Sequence, residues 1–148
     1  MLPAGPARAA AYLLLGEGAD VAAEEEYLAR AVADSAADPG LRAQALARRG
    51  VTLVAVRVRR IAEAEQLAGQ ALAAASSAGP DAERRALVAL AWARILAGRG
   101  IEDLAARSAA LPPGAASLYD GSADRPAGVR LAFRGDCLLY TSPSPRDS

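Results

Sequence analysis

Arginine and carboxylate side chains are the chemically active groups that this 148-residue sequence supplies in quantity, since it holds 17 arginines, no lysine and 17 aspartates plus glutamates. It contains no histidine and a single cysteine, Cys137. Histidine is the commonest metal ligand and the usual general base near neutral pH, so its absence excludes ordinary zinc sites and the Ser-His and Cys-His arrangements within this sequence. We therefore predict that the chain is not an enzyme and holds no cofactor or metal.

Two short clusters of charge could bind a ligand. Residues 24–26 are glutamates near the start of a predicted helix, where the helix dipole favours acids, so a solvated helix start is favoured over a metal or partner site. Arg57, Arg59 and Arg60 form a basic cluster without interleaved aromatic residues, which favours exposed cations at a helix end over nucleic-acid binding. The net charge of zero gives no global field that would attract nucleic acid or membrane.

Targeting and membrane signals are not evident in the sequence. The apolar run at residues 9–15 is short, and Gly16-Glu17-Gly18 follows it instead of a convincing cleavage site for a secretory signal. No run approaches the roughly 20 apolar residues that a membrane-spanning helix needs. We therefore expect a cytoplasmic protein.

The last residues, 137–148, differ in composition from the rest of the chain. Alanine is frequent up to Ala132 and absent afterwards, and the only cysteine is Cys137. The string CLLYTSPSPRD resembles the in-frame translation of a transposon end and adapter used to prepare sequencing libraries. We therefore expect residues 137–148 to be foreign and disordered. The alternative is a genuine tail rich in serine and proline.

Residues 60–98 organise the predicted fold. They form two helices separated by the turn Ala78-Gly79-Pro80, and the second helix is expected to open at Asp81 as its cap. The first helix has an apolar face of small side chains that lets a neighbouring backbone come close, including Ala64, Ala68 and Ala71. The second, from about residue 86 to 97, is apolar almost all the way round, so neighbours should cover it on more than one side.

The elements before this stretch are also predicted to be helices. Pro6 suits the first turn of a helix over residues 7–15, and Asp20 can cap a second helix. Asp38 and Pro39 open a third helix that runs into the mid-fifties. The β-branched residues at 51–59 are also typical of a strand, but helical patterns on both sides favour helix through about residue 56. Buried stripes are predicted at Val21, Leu28, Ala31 and Val32 in the second helix and at Ala43, Ala47, Val51 and Val54 in the third.

A shorter sixth helix should start at Ile101, and the helical units recur at about 40 residues, with Ala45-Leu46 corresponding to Ala86-Leu87. The sequence predicts an all-α fold in which antiparallel helix pairs stack as a tetratricopeptide-like solenoid, with about six helices plus one unpaired helix. Residues 1–110 would form three helix pairs, residues 111–128 a long connecting loop, and residues 129–136 the start of a truncated further repeat. We expect self-association through this C-terminal end, because its apolar side chains would lack cover: Val129, Leu131 and Phe133.

Several phrases of the sequence resemble known helical-repeat proteins. The helix with Ala64, Ala68 and Ala71 is similar to the second helix of a tetratricopeptide repeat. The phrases RIAEAEQLAGQALAAA, AGPDAERRALVALAWARILAGR and LYDGSADRPAGVRLAFRGD resemble the helical-repeat arm of the large ATP-binding LuxR-type (MalT-like) transcription regulators of actinobacteria. The resemblance implies a parent in which an N-terminal ATPase switch precedes an arm that senses an inducer or partner, and a C-terminal helix-turn-helix binds DNA.

Only the arm carries over to this chain. The sequence has no GxxxxGK[ST] phosphate loop and no helix-turn-helix segment, so ATP and direct nucleic-acid contacts are expected only in the missing parts of such a parent. We predict a fragment of a regulator's sensing or interaction arm. The alternative is a free-standing tetratricopeptide-like adaptor that binds another protein.

Stacked helix pairs present a concave surface formed by the first helix of each pair. Polar residues predicted to line it are Arg42, Gln44, Arg48, Arg49 and Arg94, although a solvated face is the competing interpretation. The expected partners are a protein or small inducer on this surface and the rest of the parent chain, with no membrane contact.

Overall fold

The structure, a computed structural model, describes residues 2–56 and 60–113. Every regular element in these two segments is a helix, which confirms the all-α prediction for this part of the chain. The helices are α1 Pro6–Gly16, α2 Val21–Asp34, α3 Pro39–Val56, α4 Ile61–Ala75, α5 Pro80–Leu96 and α6 Glu102–Ala109. None of the helices in the described segments is long and apolar enough to cross a membrane.

Two of the predicted helix caps are confirmed. The side chain of Asp20 accepts a hydrogen bond of 3.0 Å from the backbone N–H of Ala23, and that of Asp38 accepts one of 3.0 Å from Leu41. Each carboxylate therefore satisfies an N–H that has no partner within its own helix.

The predicted cap of α5 is wrong. The helix begins at Pro80, one residue before Asp81, and Gly79 occupies the cap position with a positive φ of 105°. Glycine adopts this conformation without a Cβ clash, and a proline in the first turn needs no partner for an N–H. Asp81 therefore lies inside the first turn, where its carboxylate accepts a 2.8 Å hydrogen bond from Arg84.

The competing strand prediction for the β-branched run is also wrong as far as Val56, because α3 is helical up to that residue. Residues 57–59 lie outside the described part. Two predicted core positions are exposed, with 41% of Val21 and 36% of Val51 accessible to solvent. Val21 is the first residue of α2. On α3 the buried face passes through Gly50 instead of Val51, since Ala43, Ala47, Gly50 and Val54 follow the helical spacing.

Consecutive helices pack against one another throughout the described segments. In addition, α1 contacts α3, and α3 contacts α5. Helix α5 thus has α3, α4 and α6 as neighbours, which confirms that it is covered on more than one side. Its buried residues surround the helix: Arg84, Ala86, Leu87, Ala89, Leu90, Ala91, Ala93 and Ile95. Trp92 is partly buried and packs against the same core.

The buried apolar side chains form two clusters. The larger joins α3, α4, α5 and α6 and extends from Ala43 to Leu104. The smaller contains Leu13, Leu28, Ala31 and Ala45, and it joins α1 and α2 to α3. Helix α3 contributes to both clusters, so it is the element that connects the first helices to the rest.

The small-residue face of α4 brings its backbone close to α3, as the sequence predicts. Ala64, Ala68 and Ala71 are fully buried. A Cβ placed on Gly50 of α3 would lie 3.2 Å from the carbonyl oxygen of Ala64 and 3.7 Å from the amide nitrogen of Ala68. The two backbones therefore meet with no side chain between them at Gly50.

Some predictions fall outside the described residues. They concern most of the 111–128 loop, the truncated repeat at 129–136 with its self-association, and the 137–148 tail.

Alanine substitutions at two helical glycines should separate packing from helix propensity. A Cβ on Gly69 of α4 meets nothing within 4 Å, so Gly69→Ala should raise the free energy of unfolding by about 1 kcal/mol. Gly50→Ala gains the same propensity but must displace the α4 backbone, and overpacking of this kind costs about 1–3 kcal/mol. We expect Gly50→Ala to be less stable than Gly69→Ala by about 1–3 kcal/mol in urea unfolding.

The two variants share one chemical change, so each is the control for the other. Equal stabilisation by both substitutions would contradict a close backbone contact at Gly50.

Candidate functional site

Arginine–carboxylate pairs connect most of the helices and form the principal polar feature of the structure. Arg8 of α1 lies 2.5 Å from Asp34 of α2, and Arg94 of α5 lies 2.9 Å from Asp103 of α6. Other pairs between separate elements include Arg48–Glu24, Arg49–Glu63, Arg60–Glu25, Arg99–Glu65 and Arg107–Glu83. In each of these pairs at least one side chain is less than a third exposed, so solvent screens the pair less than it screens a fully exposed one. The pairs also limit how neighbouring helices can be oriented.

Arg48, a residue predicted to line a binding face, joins three helices. Its guanidinium on α3 donates a 2.8 Å hydrogen bond to the carbonyl oxygen of Leu13 on α1 and bonds of 3.1 and 3.3 Å to Glu24 on α2. Glu17, just after α1, lies 3.8 Å away. The side chain is about three-quarters buried, with 24% exposed. Its donors are therefore directed at other helices of the same chain.

Arg49 and Arg94 also contact carboxylates. A terminal nitrogen of Arg49 lies 4.0 Å from Glu63 of α4, while its Nε is buried and has no hydrogen-bond partner among the described residues. One terminal nitrogen of Arg94 donates to both carboxylate oxygens of Asp103 at 2.9 Å. The predicted set thus divides among different neighbours: Arg48 contacts α1 and α2, Arg49 contacts α4 and Arg94 contacts α6.

Arg42 has different surroundings. It lies in the first turns of α3 and donates a 3.3 Å hydrogen bond to the carbonyl oxygen of Val32 on α2. Its side chain borders a surface groove of about 360 Å³ between the α2–α3 turn and the last turns of α4. The groove is lined by Ala36, Pro39, Arg42, Gln70, Ala73, Ala74 and Ser77. Gln44 is half-buried on the same helix but does not line the groove.

The acidic triplet does not act as one group. Glu24 accepts hydrogen bonds from Arg48, Glu25 pairs with Arg60 at 2.5 Å, and Glu26 pairs with Arg30 one turn later. Glu24 and Glu25 are half-buried, so only Glu26 matches the predicted solvated helix start. Arg60 also bonds Glu63 at 2.7 Å, so it links α2 to the start of α4 and is not an exposed helix-end cation. Glu26–Arg30 and Arg60–Glu63 follow the i,i+4 and i,i+3 spacing of helix pairs. Sequence spacing carried no signal for Arg48–Glu24 and Arg60–Glu25, because those partners lie on different elements.

The pairing changes the acid–base properties of three carboxylates. Hydrogen bonds from Arg8, Arg60 and Arg94 lower the pKa of Asp34, Glu63 and Asp103, respectively. Each arginine favours the ionised form of its partner. These groups are therefore held as charged structural partners and not as proton donors near neutral pH.

Within residues 2–56 and 60–113, no group of three or more His, Cys, Asp and Glu side chains is arranged to hold a metal ion. No known protein family, curated protein or solved structure matches the chain. The functional interpretation therefore depends on the helix packing, the arginine pairs and the groove beside Arg42.

Acid should weaken the fold partly through Asp34. Because Arg8 lowers the pKa of Asp34 in the folded protein, the pair stabilises the fold fully above the ordinary aspartate pKa of about 4, and this contribution is lost as the pH falls through the lower, folded pKa. We expect Asp34→Asn to lower the melting temperature at about pH 7 and to reduce its further fall in acid. Melting curves from about pH 7 to pH 2, followed by circular dichroism, measure both effects.

Glu26→Gln is the control, because Glu26 and Arg30 form an exposed pair one turn apart on α2. It should melt close to the unsubstituted chain. An acid profile of Asp34→Asn that matches the unsubstituted chain would contradict a stabilising role for the Arg8–Asp34 pair.

Proposed function

We propose that the chain is a non-enzymatic interaction arm built from stacked antiparallel helix pairs, and that it belongs to a LuxR-type transcription regulator. The stacked arrangement is supported by which helices contact one another. Helix α3 packs against α4 and also extensively against α5, and α1 makes a smaller contact with α3. Contacts to the next helix and to the next but one are expected when helix pairs stack in one direction.

A repeated local pattern supports the same arrangement. The first helix of each pair begins with a proline, at Pro6, Pro39 and Pro80. A leucine follows each proline two turns later, and all three are buried: Leu13, Leu46 and Leu87. Proline favours the first turn of a helix, and two turns place the leucine on a fixed face relative to it. Three units thus share a start signal and a core residue.

The proposed role is to bind a protein or small inducer and to transmit the effect of binding to the rest of the parent chain. A stack of helix pairs offers an extended surface to a protein or small inducer, and its shape depends on small rotations between pairs. The arginine pairs between helices suit this role, because they set the orientation of neighbouring helices. ATP binding and DNA binding would belong to other parts of the parent regulator, and the rest of that chain would be a partner of the arm.

Hydrogen exchange of a core variant tests the stacked arrangement. Leu13 lies in the smaller cluster, and Leu13→Ala should cost about 2–5 kcal/mol locally. In a stack, each unit contacts only its neighbours, so amides of α1 and α2 should lose protection while those of α4 and α5 keep it.

Leu87→Ala, in the larger cluster, is the matched control and should expose α4 and α5. Uniform loss of protection over all described helices in Leu13→Ala would indicate one cooperative unit and would contradict the stack.

Sequencing of the source locus across both ends of the chain tests the proposed parent. A reading frame that continues into further repeats and a helix-turn-helix, with a phosphate-loop ATPase upstream, is the expected result. A frame confined to residues 1–148 would overturn the regulator and leave the free-standing adaptor as the function of the stack.

A further inference from the structure

The groove beside Arg42 combines one cation with small apolar side chains. Arg42 lies at one edge, and Gln70 and Ser77 of the α4 end supply an amide and a hydroxyl. Ala36, Ala73 and Ala74 provide apolar surface. The groove has a volume of about 360 Å³ and is largely open to solvent, so it would cover a small ligand on one side.

Arg42 is unusual among the arginines of the described segments. Nine of the eleven arginines there lie within 4.0 Å of a carboxylate, and only Arg42 and Arg85 do not. Arg85 is exposed on α5, where water solvates its charge. Arg42 is half-buried, and its hydrogen bond to Val32 uses one of the five N–H donors of a guanidinium.

The remaining donors of Arg42 suit a planar anion. A carboxylate can accept two parallel hydrogen bonds from a guanidinium, and such pairs are stronger than neutral hydrogen bonds. The hydroxyl of Ser77 already donates to the carbonyl oxygen of Ala74 at 3.2 Å, so it has no free hydrogen for a carboxylate and the anion depends on Arg42. The alanines favour an apolar arm on the ligand, because they offer no polar partner.

We propose that this groove binds a small organic monocarboxylate, with the carboxylate on Arg42 and an aliphatic chain along the alanines of α4. The proposal goes beyond the interaction arm and does not depend on the parent regulator, since every residue used lies in α2, α3, α4 or the turns after α2 and α4.

Titration of the full chain with hexanoate, followed by two-dimensional NMR of backbone and side-chain amides, tests the site. We expect saturable shifts that include the side-chain amide of Gln70. Hexanamide has the same chain without the charge, so its affinity should be lower by about tenfold or more. Arg42→Gln should weaken hexanoate binding by a similar factor, and Arg85→Gln, the matched control, should leave it unchanged.

Ala73→Leu provides a second test that retains Arg42 and fills the groove from an exposed helix position. It should abolish the Gln70 shift without changing the helical circular dichroism, and it decides the matter if Arg42→Gln does not fold. Absence of saturable binding, equal binding of hexanamide, or full binding by the folded Arg42→Gln variant would overturn the site. None of these outcomes bears on the stack, which is tested by hydrogen exchange in Leu13→Ala.

Discussion

The backbone contact between α3 and α4 is the constraint on which the rest of the structure depends. At Gly50 the carbonyl of Ala64 occupies the space that a side chain would need, so the two helices meet closely. Helix α5 packs on both of them, and the larger cluster extends across this contact. Many of its members are alanines, each of which buries little area, so the core depends on close packing more than on large side chains.

Polar contacts contribute more to the packing of α1 and α2 than to the packing of α3, α4 and α5. The apolar cluster there contains Leu13, Leu28, Ala31 and Ala45, and Arg48 adds hydrogen bonds from α3 to both α1 and α2. The balance of charges in the sequence is therefore a structural property, because most arginines of the described segments have a carboxylate on another part of the chain within reach. A chain that uses its charges internally has few left for recognition, which makes any half-buried arginine without a carboxylate more informative.

Sequence patterns within one helix predicted the helices and two of their caps. They did not predict which side chains on different helices contact one another. The caps at Asp20 and Asp38 and the small face of α4 follow from chemistry within one turn. The role of Gly50 is not predictable from the pattern, because a glycine adds nothing to an apolar stripe, and the pattern therefore places Val51 in the core instead. For the candidate site, the sequence predicted only which side chains lie on α3 and α5. It could not predict that Arg48 bonds Glu24, because the partners are 24 residues apart in sequence.

The position of Arg42 connects the groove to the packing of the helices. The groove is bounded by the α2–α3 turn on one side and by the last turns of α4 on the other, so a bound carboxylate would contact elements on both sides of α3. A ligand changes a conformational equilibrium only if it binds one arrangement better than another. A small rotation of α4 about its contact with Gly50 would move Gln70 and Ser77 relative to Arg42 and change the fit of the ligand. In the proposed arm, the same backbone contact that organises the core would thus make ligand binding sensitive to the angle between neighbouring helices.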